Sequence, residues 1–365
     1  MQICELIKTL EQVAPPAYQE SYDNAGLITG NAAWACTGVL LALDCVEATI
    51  EEAIEKKCNL IVAHHPILFK GTKQLTGSDY IQRTLIKAIK ADIAIYAIHT
   101  NLDNVASGVS KKMADLLQLK NTRILAPKSG LLSSLVTFCP TSEATKVRAA
   151  LFSAGAGSIG NYKECAFSVN GTGTFLAQEG ANPAIGNIGH AENVTEERIE
   201  LIFPCHLQGK VIQALIQAHP YEAVAYYIHP LANPIFEVGS GMIGDLPTPI
   251  DYQALFRIIQ EVFKVKVIRH TRLLDKKVQK VALCGGAGSF LTKTAIAQGA
   301  DVYITADVKY HEFFDADNQI VLADIGHFES EQYTVELLFD ILAQKFPTFA
   351  ILKSAYCSNP VLYYI

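Results

Sequence analysis

The sequence contains no CxxC pair, no tract of four or more Lys or Arg, and no apolar segment of bilayer-spanning length. Each absence removes a class of function. Without paired cysteines a thiolate metal site has no framework. The nine cysteines (4, 36, 45, 58, 139, 165, 205, 284, 357) are odd in number and scattered, the pattern of reduced thiols in a cytoplasmic protein. With no basic tracts, a net charge of −6 and a pI near 5.9, the chain has no general nucleic-acid surface. Spanning a membrane takes about 20 apolar residues, so no membrane association is expected. The opening residues, MQICELIKTLEQVAPP, lack the basic and apolar regions of a signal peptide. Ile3, Leu6, Ile7, Leu10 and Val13 follow helical spacing instead and predict an amphipathic surface helix. What the chain has is apolar mass: half of its 365 residues are hydrophobic and only 18% are charged. That length suits two domains, or one large domain carrying an insertion.

The stretch NLIVAHHPILFK (59–70) concentrates the chemistry. Leu60–Ala63 is an uncharged, β-branched run of the kind that fills a buried parallel strand. His64 and His65 follow it, and Pro66 stops the ladder. Ligand sites in open α/β sheets gather at the carboxyl ends of strands. Consecutive strand residues point to opposite sides, so this pair is poorly placed to share one ion and well placed to flank two. The alternative is a strand-end pair making ordinary hydrogen bonds.

Other strands end in the same way. Val39–Leu43 ends at Asp44, read as an N-cap for a helix over 46–57. Ile93–Ile98 runs into His99 and then Asp103, which parallel neighbouring strands bring beside the histidine pair. Ser21–Leu27 reads as a loop. In the second half, Val281–Cys284 leads into Gly285-Gly286-Ala287-Gly288-Ser289, which suits either an anion cradle or close packing. Ile320–Ile325 is followed by Gly326, and His327 and Glu331 then share one helix face at i and i+4.

Between the halves the pattern changes. Strand 131–138, helix 142–154, strand 164–169, a turn at Gly171–Gly173, strand 174–177, strand 196–203, helix 206–218 and strand 223–229 suggest a ferredoxin-like unit of about 100 residues. Its histidines (190, 206, 219, 229) read as surface or capping residues. The expected organisation is an α/β core in two parts, 1–129 and 232–365, with the insertion 130–231 between them. His64, His65, Asp103, His327 and Glu331 then form a nitrogen-and-oxygen donor set suited to Zn, Fe, Mn or Co. Two ions about 3.5–4 Å apart could share a carboxylate there.

These stretches resemble the Nif-three-like family, dinuclear-metal proteins labelled GTP cyclohydrolase I type 2 homologues. The matching segments are YDNAGL (22–27), LALD (41–44), IVAHHPILFKG (61–71), IHTNLDN (98–104), GSGMIGDL (239–246), CGGAGS (284–289), YITADVKYHEF (303–313) and GHFESE (326–331). Ala306 stands where many relatives have Gly. The resemblance implies that His64, His65, Asp103, His327 and Glu331 bind two divalent ions per subunit (Zn, Fe or Mn), with Glu331 as the bridge. It implies that His99 and His311 lie near the site, outside the ligand set, where either imidazole could carry protons, and that the subunits form a toroidal homohexamer. HPYEAVAYYIHPL (219–231) marks the middle segment as a PII-like insertion. The expected function is a metal-dependent hydrolase of a small molecule, possibly a nucleotide, with a phosphoesterase as one alternative. A non-enzymatic metal-binding or regulatory hexamer with a ligand-sensing insert is the other.

Overall fold

The computed structural model describes residues 1–364 and is a mixed α/β structure. It divides into two compact units, Lys128–Ile235 and the remainder, which joins Met1–Pro127 to the chain from Phe236 onward. Among the described residues no helix is long and apolar enough to cross a membrane.

The larger unit contains two sheets. The first runs Gly26–Thr29, Ala94–Ala97, Leu60–Ala63, Val39–Ala42, Ile351–Lys353. Its last four strands are parallel neighbours, and Gly26–Thr29 closes one edge antiparallel. Val39–Ala42, Leu60–Ala63 and Ala94–Ala97 are buried along their whole length, as uncharged runs between two helical layers must be. The helix Ile3–Val13 buries Ile3, Leu6, Ile7 and Leu10 against this sheet's core, confirming its amphipathic reading. Each such side chain contributes about 1.5–3 kcal/mol.

The second sheet runs Arg269–His270, Val321–Asp324, Val302–Ala306, Val278–Ala287, Ile235–Ile250, Lys120–Lys128. The three strands ending at Ala287, Ala306 and Asp324 are parallel to one another. The glycines at 239, 241 and 244 lie inside the long strand Ile235–Ile250 and bind no dinucleotide turn. That strand is antiparallel to Val278–Ala287.

The smaller unit is a four-stranded antiparallel sheet in the order Phe167–Leu176, Ala191–Pro204, Leu132–Pro140, Tyr226–Leu231. Its helices Ala144–Ser153 and Gln208–Ala218 supply Val147, Leu151, Val211 and Leu215 to a core with Leu135, Ile199, Leu201 and Phe203. This strand–helix–strand, strand–helix–strand order is ferredoxin-like. One expectation fails here. Gly171–Gly173 is not a turn, because its residues pair in unbroken register with Glu196, Thr195 and Val194. The strand continues to Leu176, and residues 177–190 make the connection. His219 is buried rather than exposed, bonded through Nε2 to the Phe138 carbonyl (2.9 Å) and through Nδ1 to the Tyr221 amide (3.1 Å).

Candidate metal centre

The ladder of the first sheet outlasts its strands. The amides of His64 and His65 donate to the carbonyls of Ala42 (3.2 Å) and Leu43 (3.0 Å), so both residues are pinned at the carboxyl edge. Asp103 ends the short helix Thr100–Asp103 that follows Ala94–Ala97. From the second sheet, Val321–Asp324 turns at Gly326 into the helix His327–Glu331. Gly326 sits at φ +92°, and a Cβ there would meet Glu329 Oε2 at 2.2 Å, so only glycine starts the helix at this angle.

These ends converge. Glu331 Oε2 lies 2.9 Å from His65 Nε2, 3.0 Å from His327 Nε2 and 3.9 Å from His64 Nε2. Asp103 Oδ1 lies 3.6 Å from His64 Nε2. The donor atoms fall into overlapping groups that can hold a metal ion: His64, Asp103, Glu331; His65, His327, Glu331; and His64, His65, His99. Glu331 belongs to the first two, so a carboxylate joins them.

The nitrogens facing the cluster are set by what lies behind the rings. His64 Nδ1 donates to the Ile98 carbonyl (2.8 Å), and His65 Nδ1 to Asp44 Oδ1 (2.7 Å). His327 Nδ1 donates to Asp307 Oδ2 (2.7 Å), and His99 Nδ1 to Asp23 Oδ1 (2.8 Å). An acceptor at every Nδ1 holds a hydrogen there and aims Nε2 inward, the backing that metal-binding histidines use. His64 Nε2 and Asp103 Oδ1 are then buried acceptors without any hydrogen-bond partner. Leaving such atoms unpaired costs about 1–3 kcal/mol each, and a cation between them removes that cost. The donor set therefore fits a metal on its own chemistry.

Electrostatics agree. Burial, aided by the Glu331 charge, pushes the Asp103 carboxyl up to about 7. Burial opposes charge on His65, but hydrogen bonds to Asp44 and Glu331 outweigh it and hold that imidazole at about 9. His327 reaches about 11 against the same burial, through Asp307 and Glu331. Glu331 is held well below the usual carboxylate range: its burial is outweighed by His327, His64 and His65. In the absence of a cation, protons supply the positive charge.

Other expectations divide. His99 joins the cluster, and its ring stands 5.4 Å from that of His65. His311 does not. It is exposed on the 3₁₀ helix Tyr310–Ala316, stacked on Phe314 at 6.4 Å, and lies outside the cavity lining. Asp44 is not a helix cap: Val46 occupies that position, and the Asp44 carboxylate is spent on His65 and Ser358. Ser21–Leu27 is more than a loop, since Asp23 also accepts from the Thr100 amide (3.0 Å) and is held down at about 2, its burial outweighed by His99 and Thr100. The glycine loop is closely packed. A Cβ on Gly286 would lie 2.3 Å from Glu331 Oε1, and the amides of Gly286 and Gly288 are taken by Ser330 and Thr305. The cluster opens into a cavity of about 630 Å³ lined in part by Tyr22, Phe69, His99, Asn104 and Phe290.

Comparison with known proteins places this architecture. A family model described as Duf34/NIF3 (NGG1p interacting factor 3) matches residues 1–360. A Bacillus subtilis (strain 168) protein named GTP cyclohydrolase 1 type 2 homolog is 39% identical over 326 residues, 89% of this chain and 87% of its own. The crystal structure of a Bacillus cereus protein related to NIF3 superposes with a TM-score of 0.86 at 38% identity, covering 100% of this chain and 99% of that one. Staphylococcus aureus protein SA1388 does so with a TM-score of 0.79 at 28% identity, with the same coverage. With a family match over residues 1–360, a relative 39% identical and a solved structure of the same fold, the chain belongs to the DUF34/NIF3 family.

Proposed function

We propose that the cluster holds two divalent cations, Zn, Fe or Mn, and that the protein is a hydrolase of a small molecule entering the adjoining cavity. The observation that carries this reading is Glu331, whose carboxylate is shared by two donor groups that separate His64 with Asp103 from His65 with His327. Paired ions in such a setting acidify water and polarise an electrophilic carbon or phosphorus. The chain's own residues supply the rest. Asp44 and Asp307 hold His65 and His327 in register. Asp23, kept ionised, fixes the Nδ1 hydrogen of His99 and leaves its Nε2 to accept a proton at the cavity wall. His311 keeps a proton-carrying role only if a neighbouring subunit brings it to a site.

Relatives named GTP cyclohydrolase 1 type 2 homolog suggest hydrolytic opening of the guanine five-membered ring as the reaction to test first. A phosphoesterase uses the same ligands, though two amides of the glycine loop, Gly286 and Gly288, are already taken. The proposed assembly is a toroidal homohexamer in the cytoplasm, a setting supported by free thiols at all nine cysteines. The test is metal analysis of the purified protein, then turnover of GTP and of a phosphoester panel by wild type and Asp103→Ala. Activity that survives undiminished in the variant refutes the hydrolase reading.

A second reading, a regulatory hexamer whose insert senses a ligand, rests on a separate cavity of about 280 Å³ in the smaller unit, lined by Phe175, Ile185, Glu196 and Tyr221 among others. Ligand-induced thermal shifts that vanish in Tyr221→Ala favour it.

A further inference from the structure

Beyond the last strand, Ile351–Lys353, the chain runs from Ser354 to Tyr363 without regular structure. Its side chains divide sharply. Ala355, Tyr356, Cys357, Val361 and Leu362 are exposed, whereas Ser354, Ser358, Asn359 and Tyr363 are half-buried. Those four are the residues whose side chains hydrogen-bond the rest of the unit. Ser354 Oγ bonds Glu52, and the Ala355 amide donates to the same carboxylate at 2.8 Å. Ser358 Oγ donates to Asp44 Oδ2 at 2.5 Å, and the other oxygen of that carboxylate holds His65 Nδ1. Asn359 Nδ2 reaches Glu329 Oε1 at 3.4 Å, and the Tyr363 hydroxyl bonds Glu329 as well. Glu329 is a buried carboxylate in the turn of helix that carries His327 and Glu331.

We propose that Ser354–Tyr363 is a strap that sets the geometry of the metal pocket, with Ser358 as the positioning residue for His65 and the Asn359–Tyr363 pair steadying the helix His327–Glu331. This inference rests on the cluster being a metal site. Its logic is mechanical. His65 and His327 arise from different sheets, and the strap touches the support behind each: Asp44 on one side, Glu329 on the other. Its hold is polar and its apolar side chains face solvent, so it can be loosened without opening the core. A carboxylate anchored at both oxygens keeps one rotamer, and the imidazole bonded to it keeps one orientation. Removing the serine hydroxyl frees Asp44 to turn, and His65 turns with it.

The experiment measures Zn(II) affinity by chelator competition, and the Co(II) absorption spectrum, for wild type, Ser358→Ala, Ser358→Thr and the pair Asn359→Ala with Tyr363→Phe. The melting temperature of each metal-free protein is recorded alongside. Outer partners of metal ligands are worth about 10–100-fold in affinity, and a partner one step further out should sit near the lower figure. Ser358→Ala and the double variant should each bind Zn(II) roughly tenfold more weakly, with a changed Co(II) band and an unaltered metal-free melt. Ser358→Thr, which keeps the hydroxyl, should restore affinity. If wild type takes up no metal, the parent reading fails and the strap with it. If wild type binds and Ser358→Ala binds equally well, the strap alone is overturned. A metal-free melt that falls in step with affinity makes the segment an ordinary brace and overturns the proposal too.

Discussion

Metal uptake should expel protons. Without a cation, His65 titrates at about 9, His327 at about 11 and Asp103 at about 7. At pH 7 both imidazoles then carry an extra proton and Asp103 is partly protonated, on the order of two to three protons together. All must leave for these atoms to act as ligands. The logarithm of the apparent binding constant should therefore rise by roughly 2–3 per pH unit around neutrality, steeper below pH 7 where Asp103 fills. Zn(II) competition against a chelator of known proton affinity, from about pH 6 to 8, measures the slope. Titration calorimetry in buffers of different ionisation heat counts the protons directly. Asp44→Asn removes the carboxylate that raises His65 and should flatten the slope by up to about one. A wild-type slope below about one refutes the reasoning, because the imidazoles would then already be neutral and Glu331 would not be holding them charged. The same shifts fix the sign for the metal-free protein. The raised imidazoles stabilise it fully below their unfolded value of 6.5, and that stability is lost as pH climbs through about 9 and about 11. Asp103 acts in the same direction over a lower window, its raised carboxyl costing stability progressively as pH climbs from the ordinary 3.8 to about 7.

Gly326→Ala should destabilise the protein by about 1–3 kcal/mol through backbone strain, lowering its melt by about 2–4 °C per kcal/mol, and should weaken metal binding because the helix His327–Glu331 must shift. An unchanged melt contradicts the steric account. Asp23→Asn removes a buried carboxylate depressed from 3.8 to about 2, worth about 2 kcal/mol of stability that wild type keeps above pH 3.8 and loses toward pH 2. Acid titration of the melt should therefore show a shallower loss in the variant over that interval. In a turnover assay, His99→Gln should cost about 10²–10⁴-fold in kcat, whereas His311→Gln in a dissociated monomer should cost nothing measurable. Equal losses would restore His311 to the site.

The parts legible in the sequence are those whose cause is local. The strand Leu60–Ala63 and the shared helix face of His327 and Glu331 are legible because an uncharged run and an i,i+4 pair each act within a few residues. The strand through Gly171–Gly173 is not legible for the complementary reason: glycines signal a turn locally, and only pairing with 194–196 overrides it. The groups behind the histidines escaped detection because each acts on a residue far along the chain, Asp23 on His99 and Asp307 on His327. One was within reach. The strands VLLA and LIVA are parallel neighbours in which Ala42 pairs with Ala63, so counting two residues onward sets Asp44 beside His65. An acid at that offset from a strand-end histidine is better explained by the imidazole than by the helix that follows. The donor set was legible while its support was not, since a ligand is specified by residue type and a supporting group by register. Register carried forward from the parallel pair Val39–Ala42 and Leu60–Ala63 places Asp44 as the brace of His65.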